Sequence, residues 1–385
     1  MSKPLNVAIV HDWLVIYGGA ERVLEQLLHI YPHADLYSLI DFVPKEQRHF
    51  LQGKTPFTSF LQKIPGAALH YRKMLPLMPY AIEQFDLSSY DLVVSSSYCV
   101  AKGVLTGPNQ VHVSYCHSPM RYAWDHYFEY LREMHLTSGL KGLFARWQLH
   151  RIRTWDVRSS NSVDLFVANS RFVARRISKF YGRTSEVVFP PVDTQLFSLQ
   201  EKKQDYFVAA GRFVPFKRLD LVAEAFSSMP DRKLVMIGDG PEMAKIRSKA
   251  GPNVEFLGYQ PASIVREYLA NAKAFIFPSE EDFGIVPVEA QACGTPVLAF
   301  GRGGALETVR PIGGAFSPTG LFFHEQSASA ICATIRDFEG SIGMFDPVAI
   351  CQHAQSFSIE NFKVKFATQV NKALDRYAPT WVERT

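Results

Sequence analysis

The chain has 385 residues, of which 47% are apolar and 20% charged, a globular composition with length enough for two domains of about 150–200 residues. Its net charge of +4 is unevenly placed, with 21 Lys and Arg against 15 Asp and Glu in residues 1–190 and 20 against 22 in the remainder. No apolar run approaches the roughly 20 residues that span a bilayer, and five cysteines, an odd number without a Cys-x-x-Cys pair, argue against a disulfide framework and against a cysteine metal cluster.

The chain opens Met1-Ser2-Lys3-Pro4 and runs into a strand over Asn6–Val10, without the apolar h-region of a signal peptide; a cytoplasmic location is expected. His11-Asp12-Trp13 follow the strand, and Gly18-Gly19-Ala20-Glu21 open a helix over Ala20–Ile30. Paired glycines at a helix start let amide groups and the positive dipole end approach an anion; a glycine turn used only for packing explains them equally well. Residues 51–85 mix Lys54, Phe57, Phe60, Lys63, Tyr71, Arg72, Lys73 and Met74 without a period. They read either as a mobile surface segment that meets lipid or acceptor or as a pair of short packed helices. Strands follow over Asp91–Ser95, Gln110–Tyr115 and Ser162–Ala168, with a basic, aromatic helix over Leu143–Asn161. His117 stands at the end of the third strand, in Ser114-Tyr115-Cys116-His117-Ser118-Pro119-Met120-Arg121. There it can donate to a sugar hydroxyl or to developing charge, although a lone histidine is commonly structural. The basic first half is either ordinary scatter or the footprint of an anionic partner, such as a membrane surface or a phosphorylated lipid.

Phe189-Pro190-Pro191-Val192-Asp193 interrupts the pattern, since Pro-Pro continues neither a helix nor a central strand. The expected division is residues 1–192 and 193–360, with a last helix from about Asn361. The second half continues with strands over Tyr206–Ala210, Lys233–Ile237, Val254–Leu257, Ala274–Phe277 and Pro296–Phe300. Apolar strands alternating with helices imply parallel sheets covered on both faces, hence an α/β chain of two doubly wound units.

Ligands of such sheets bind beyond the carboxyl ends of the strands. Gly211-Arg212-Phe213-Val214-Pro215-Phe216-Lys217 follows one such end. Its two cations suit a diphosphate, Arg212 with a planar fork and Lys217 as a point charge; solvated surface cations are the alternative, and the strand-end position favours the diphosphate. Gly238-Asp239-Gly240 makes a tight turn after the next strand. The segment after Ala274–Phe277 reads Pro278-Ser279-Glu280-Glu281-Asp282-Phe283-Gly284-Ile285-Val286-Pro287-Val288-Glu289-Ala290. Glu281 lies in its loop and Glu289 inside a helix that begins near Ile285, while Gly284 turns amides toward a ligand. Amides there can hold a phosphate or sugar, and the two carboxylates can hold polyol groups. No Asp-x-Asp, Walker lysine or Gly-x-Gly-x-x-Gly after the first strand is present, so a metal-held diphosphate is not indicated, and nothing points to nucleic acid.

Taken together, Glu281 and Glu289, Gly211-Arg212 with Lys217, Gly18-Gly19 and the Pro190–Asp193 junction resemble the retaining family-4 glycosyltransferases of GT-B fold, over about residues 7–375. The stretch Tyr115–Asp125 is similar to mannosyltransferases of bacterial O-antigen synthesis, which use GDP-mannose. The resemblance implies two Rossmann-like domains facing each other across a cleft, and a metal-independent transfer of mannose from GDP-mannose to a glycan or undecaprenyl-diphosphate-linked acceptor. It implies that Glu289 holds the ribose and Glu281 the donor sugar, and that Arg212 and Lys217 neutralise the diphosphate. Amides near Gly284, Ile285 and Val286 would support sugar and phosphate, Gly18-Gly19 would approach the diphosphate, His117 the sugar and Tyr259 the base. The last helix would cross back to the first domain, and catalysis would retain configuration by front-face attack. Glu280 adjoins Glu281; the Phe283-Gly284 step and the distance to Glu289 favour Glu281. A UDP-sugar donor, an epimerase or hydrolase of the same fold, and a non-catalytic glycan-binding scaffold are the other readings.

Overall fold

The protein is described from a computed structural model covering residues 5–377. The chain forms two compact units: residues up to Pro190 together with the chain from Phe362 onward, and Pro191–Asn361.

The first unit is built on seven parallel strands: β1 (Val7–His11), β2 (Asp35–Ser38), β3 (Phe57–Thr58), β4 (Leu92–Ser97), β5 (Val111–Cys116), β6 (Leu165–Ala168) and β7 (Ser185–Val187). Their order is β3-β2-β1-β4-β5-β6-β7. β1, β4 and β5 are buried along their whole lengths, as strands covered by helices on both faces must be. The helix Gly19–Ile30 places Val23, Leu24, Leu27 and Leu28 on one such face. Onto the same face the last helix, Ile359–Tyr377, lays Phe362, Phe366, Val370 and Ala373, a near i, i+4 stripe. The Tyr115 ring meets Phe362 at 5.7 Å.

Three strands of this unit were not legible in the sequence, and each has a physical reason. β2 is exposed at Asp35 and only half-buried at Tyr37, β3 is two exposed residues, and β7 carries an exposed Glu186 at the sheet edge. Residues 51–85 follow the packed-helix alternative. After β3 come short helical turns over Phe60–Lys63, Ala67–His70, Tyr71–Leu77 and Met78–Ile82, held by Leu61, Met78, Ala81 and Ile82 in the core. Leu69 and Tyr80 stay exposed. The basic helix starts at Gly139, ahead of the expected Leu143, and runs to Ser160. It buries Leu149, Ile152 and Asp156 while Leu140, Leu143, Phe144 and Trp147 face solvent.

The second unit has six parallel strands: β8 (Phe207–Ala210), β9 (Leu234–Ile237), β10 (Val254–Gly258), β11 (Ala274–Phe277), β12 (Val297–Phe300) and β13 (Gly320–Phe323), in the order β10-β9-β8-β11-β12-β13. One face packs Phe207, Phe226, Phe338 and Ile350; the other packs Val208, Phe275, Phe277 and Ala290. The amide of Val192 donates to Phe357 O at 2.9 Å, joining the two ends of this unit. All five cysteines are free, and Cys351 alone is not fully buried. No described helix is long and apolar enough to cross a membrane.

Candidate functional site

Each sheet reverses its strand order once, between β1 and β4 in the first unit and between β8 and β11 in the second. The carboxyl ends of strands at such a reversal open a crevice, because the connecting helices leave to opposite faces. The candidate residues of each unit gather at these points.

In the second unit, Lys217 follows β8 and Glu281 follows β11. Sixty-four residues apart in sequence, they form a direct ion pair. Ser279 donates its hydroxyl to the same Glu281 oxygen at 3.1 Å. Glu281 Oε1 is therefore engaged twice. The loop that carries it rests on a second loop, which the sequence reading did not single out. Gly304 N donates to Glu281 O at 2.8 Å, and a Cβ on Gly304 would stand 2.3 Å from Phe283 Cα, so only glycine permits this approach. Gly284, at φ +89°, turns the chain into the helix Ile285–Ala292. Ile285 and Val286 supply its first amides, which have no acceptor four residues back along the helix. Glu289 lies buried on the second turn, between Val288 and Ala290 of the core.

Arg212 is exposed, and among the described residues its guanidinium has no side-chain partner. Tyr259 is 82% exposed just past β10, two strands from the reversal point. Thus Lys217, Glu281 and the start of the Ile285 helix converge, whereas among the described residues the side chains of Arg212 and Tyr259 make no hydrogen bond or ion pair with that cluster.

In the first unit, β1 ends at His11 and β4 at Ser97, with His11 and Ser96 in register. Asp12 is fully buried and accepts four backbone N–H groups, from Tyr98, Cys99, Val100 and Ala101, at 2.5–2.9 Å. Burial raises its carboxyl above the usual range, and the amides of Tyr98, Ala101 and Val100 together with the neighbouring His11 oppose that rise. His117 is half-buried past the end of β5, with Nε2 on Ser96 Oγ at 2.8 Å. Burial, and secondarily the neighbouring His11, pushes its imidazole down to about 3, so it is neutral near pH 7. Gly18 caps the helix Gly19–Ile30, and Glu21 Oε2 accepts the Gly18 amide at 2.9 Å. Gly19 itself is exposed.

The stretch Tyr115–Asp125 is occupied mainly with packing. Tyr122 meets Cys99 Sγ at 2.8 Å, Trp124 stacks on Phe180 at 4.8 Å and donates to Asp156, and Asp125 pairs with Arg176 at 2.7 Å. Among the described residues no three His, Cys, Asp or Glu side chains gather as metal ligands. A hollow of about 720 Å³ lies at the opposite, amino-terminal edge of the first sheet, lined by residues 83–91 and 105–110, away from these groups.

Two parallel, doubly wound sheets with a glycine-opened helix and a cation–carboxylate pair at a reversal point define a GT-B type of fold. Glycosyltransferase Family 4 matches residues 17–196, and Glycosyl transferases group 1 matches residues 192–341. The chain belongs to this family of glycosyltransferases. It is 29% identical over 245 residues to D-inositol 3-phosphate glycosyltransferase of Mycobacterium tuberculosis, a match that covers 56% of this chain and 50% of that protein. The chain therefore spans about half the length of the curated relatives it matches. Among solved structures, sucrose-phosphate synthase from Thermosynechococcus elongatus aligns with a TM-score of 0.72 at 17% identity, over 96% of this chain and 100% of that one. Anabaena HepE in complex with UDP aligns with a TM-score of 0.67 at 18% identity, over 96% and 100%. These two establish the shared fold.

Proposed function

We propose that this protein is a retaining hexosyltransferase, which moves mannose from GDP-mannose to a glycan or undecaprenyl-diphosphate-linked acceptor in bacterial surface-polysaccharide synthesis. The observation that carries the reading is the meeting of Lys217 and Glu281 beside the helix start at Gly284, with Glu289 one turn further in. In the proposed complex Lys217 and Arg212 face the diphosphate, and the amides of Gly284, Ile285 and Val286 bind its oxygens or those of the sugar. Glu281 takes sugar hydroxyls and Glu289 the ribose. In the first unit Gly18-Gly19 are assigned to the diphosphate and His117 to the sugar; in the second, Tyr259 borders the base.

During transfer the bond from the anomeric carbon to the phosphate oxygen breaks, and a bond to the acceptor oxygen forms on the same face. The acceptor proton passes to the departing phosphate. The leaving dianion is stabilised by fixed cations and amides, the kind of preorganised electrostatics that dominates such reactions. No bound metal is required in this scheme.

A lipid-linked acceptor and a place at the inner face of the cell membrane are supported by the helix Gly139–Ser160. Its exposed Leu140, Leu143, Phe144 and Trp147 alternate with Lys141 and Arg146, a pattern suited to an anionic interface. Sedimentation with anionic vesicles should fall as salt rises; salt-independent binding, or none, contradicts this part.

The UDP bound to HepE favours a second reading, transfer from a UDP-sugar by the same residues. Slow donor hydrolysis followed by proton NMR tests the reaction. From GDP-mannose the first sugar released should be the α anomer. Initial release of the β anomer contradicts retention, and turnover of UDP-glucose alone favours the second donor.

A further inference from the structure

His117 is the end of a buried chain of hydrogen bonds. Glu21 Oε1 lies 3.3 Å from His11 Nε2, His11 Nδ1 lies 3.1 Å from Ser96 Oγ, and Ser96 Oγ lies 2.8 Å from His117 Nε2. His11, Glu21 and Ser96 are all buried, with His11 and Ser96 wholly so. Tyr98 and Tyr115 fix the His117 plane, their rings 5.9 and 5.1 Å from it at 67°. Nδ1 of His117 has no protein partner among the described residues.

Each link has a direction. A carboxylate only accepts, so His11 Nε2 carries a proton and donates to Glu21. In the relay His11 holds a single ring proton, at Nε2, facing the Glu21 oxygen at 3.3 Å. A neutral ring protonated at Nε2 has a bare Nδ1, which accepts from the Ser96 hydroxyl. The Ser96 oxygen can then accept from His117 only if His117 Nε2 carries the proton.

We propose that Glu21, acting through His11 and Ser96, holds neutral His117 as its Nε2–H tautomer, so that the unpartnered Nδ1 is an obligate acceptor for a ligand hydroxyl. Glu21, His11 and Ser96 are thus positioning residues. Glu21 also accepts the Gly18 amide at 2.9 Å, which ties the glycine turn before the helix Gly19–Ile30 to the same relay. The ligand specified is one that offers a hydroxyl donor at this point; a group with only acceptor character there is disfavoured. This selectivity rests on the proposed sugar-transfer reading, whereas the tautomer does not.

The test uses the full chain labelled with ¹⁵N at histidine, with His117 assigned by loss of its signals in His117→Asn. Long-range proton–nitrogen spectra at pH 7.5 should show a protonated Nε2 and an unprotonated Nδ1. Glu21→Gln keeps the cap on Gly18 but presents an amide donor to His11, which reverses each bond in turn. It should therefore move His117 to the Nδ1–H tautomer. Ser96→Ala should leave a mixture of the two. An Nδ1–H tautomer in the unmodified chain, or a His117 spectrum unchanged in both folded variants, overturns the proposal. In parallel, Glu21→Gln should weaken binding of a hexosyl nucleotide about tenfold more than binding of the bare nucleoside diphosphate. An equal loss for both overturns the hydroxyl-acceptor role. Binding of neither ligand by the unmodified chain would instead defeat the sugar-transfer reading and leave the tautomer result standing.

Discussion

At the scale of single residues, Lys217 and Glu281 neutralise each other while both stay about one-fifth exposed. Partial exposure makes the pair a modest contributor to stability, so its removal should show mainly in turnover. Lys217→Ala is expected to keep its thermal midpoint within about 2 °C, the equivalent of under 1 kcal/mol in a chain of this size. It should lower kcat by about 10²–10³-fold, the usual cost of losing one transition-state partner. Steady-state kinetics beside a melting curve decides it, and unchanged kcat in a folded variant would remove Lys217 from the site. The two residues were legible separately, because each follows an apolar strand. Their direct pairing was not, since 64 residues of intervening chain carry no spacing signal. Ser96 was missed for a related reason: a serine in a run of three, Ser95-Ser96-Ser97, carries no mark of which hydroxyl faces His117.

Among the elements, the turn after β4 depends on Asp12. Its two oxygens gather four consecutive amides that start a helical turn at Ala101–Gly103. Asp12→Asn replaces one acceptor with a donor that faces two of those amides. A buried polar mismatch of this kind costs about 2–4 kcal/mol. Chemical denaturation should show that loss with an unchanged m-value, and a loss below about 0.5 kcal/mol would contradict the clamp. The central strands were readable because burial on both faces makes them continuously apolar. β2, β3 and β7 were not, because half-buried or edge strands mix polar and apolar residues. The short helices of residues 60–82 had no period to read, since runs of four to seven residues are too short to repeat an apolar spacing.

For the whole molecule, two buried histidines that act outside the proposed chemistry, His112 and His353, add to the response to acid. Burial pushes His112 down to about 4, and His353 to about 4 as well. An unfolded chain binds protons at these positions below about pH 6.5, whereas the folded chain does so only near pH 4. Their stabilising effect is thus complete above pH 6.5 and is lost as the pH falls through that window. Each contributes a slope of up to about 1.4 kcal/mol per pH unit. Burial raises the Asp12 carboxyl, which acts in the opposite sense, so the comparison with His112→Gln isolates one histidine. That variant should flatten the decline of the melting temperature between pH 6.5 and 4.5; an identical slope contradicts the assignment. The doubly wound architecture was readable from alternating strands and helices. The last helix was readable too, but the seat of its Phe362–Ala373 stripe on the Tyr115 face of the first unit depends on tertiary packing.

Calorimetric titration with GDP-mannose, UDP-glucose, UDP-galactose and UDP-N-acetylglucosamine, in chelator and with Lys217→Ala in parallel, addresses the proposed donor site most directly. GDP-mannose should bind the unmodified chain most tightly and lose at least about tenfold in affinity in the variant, about 1.4 kcal/mol. Binding of none of the four, or binding indifferent to Lys217, would contradict a nucleotide-sugar site at the β8–β11 reversal.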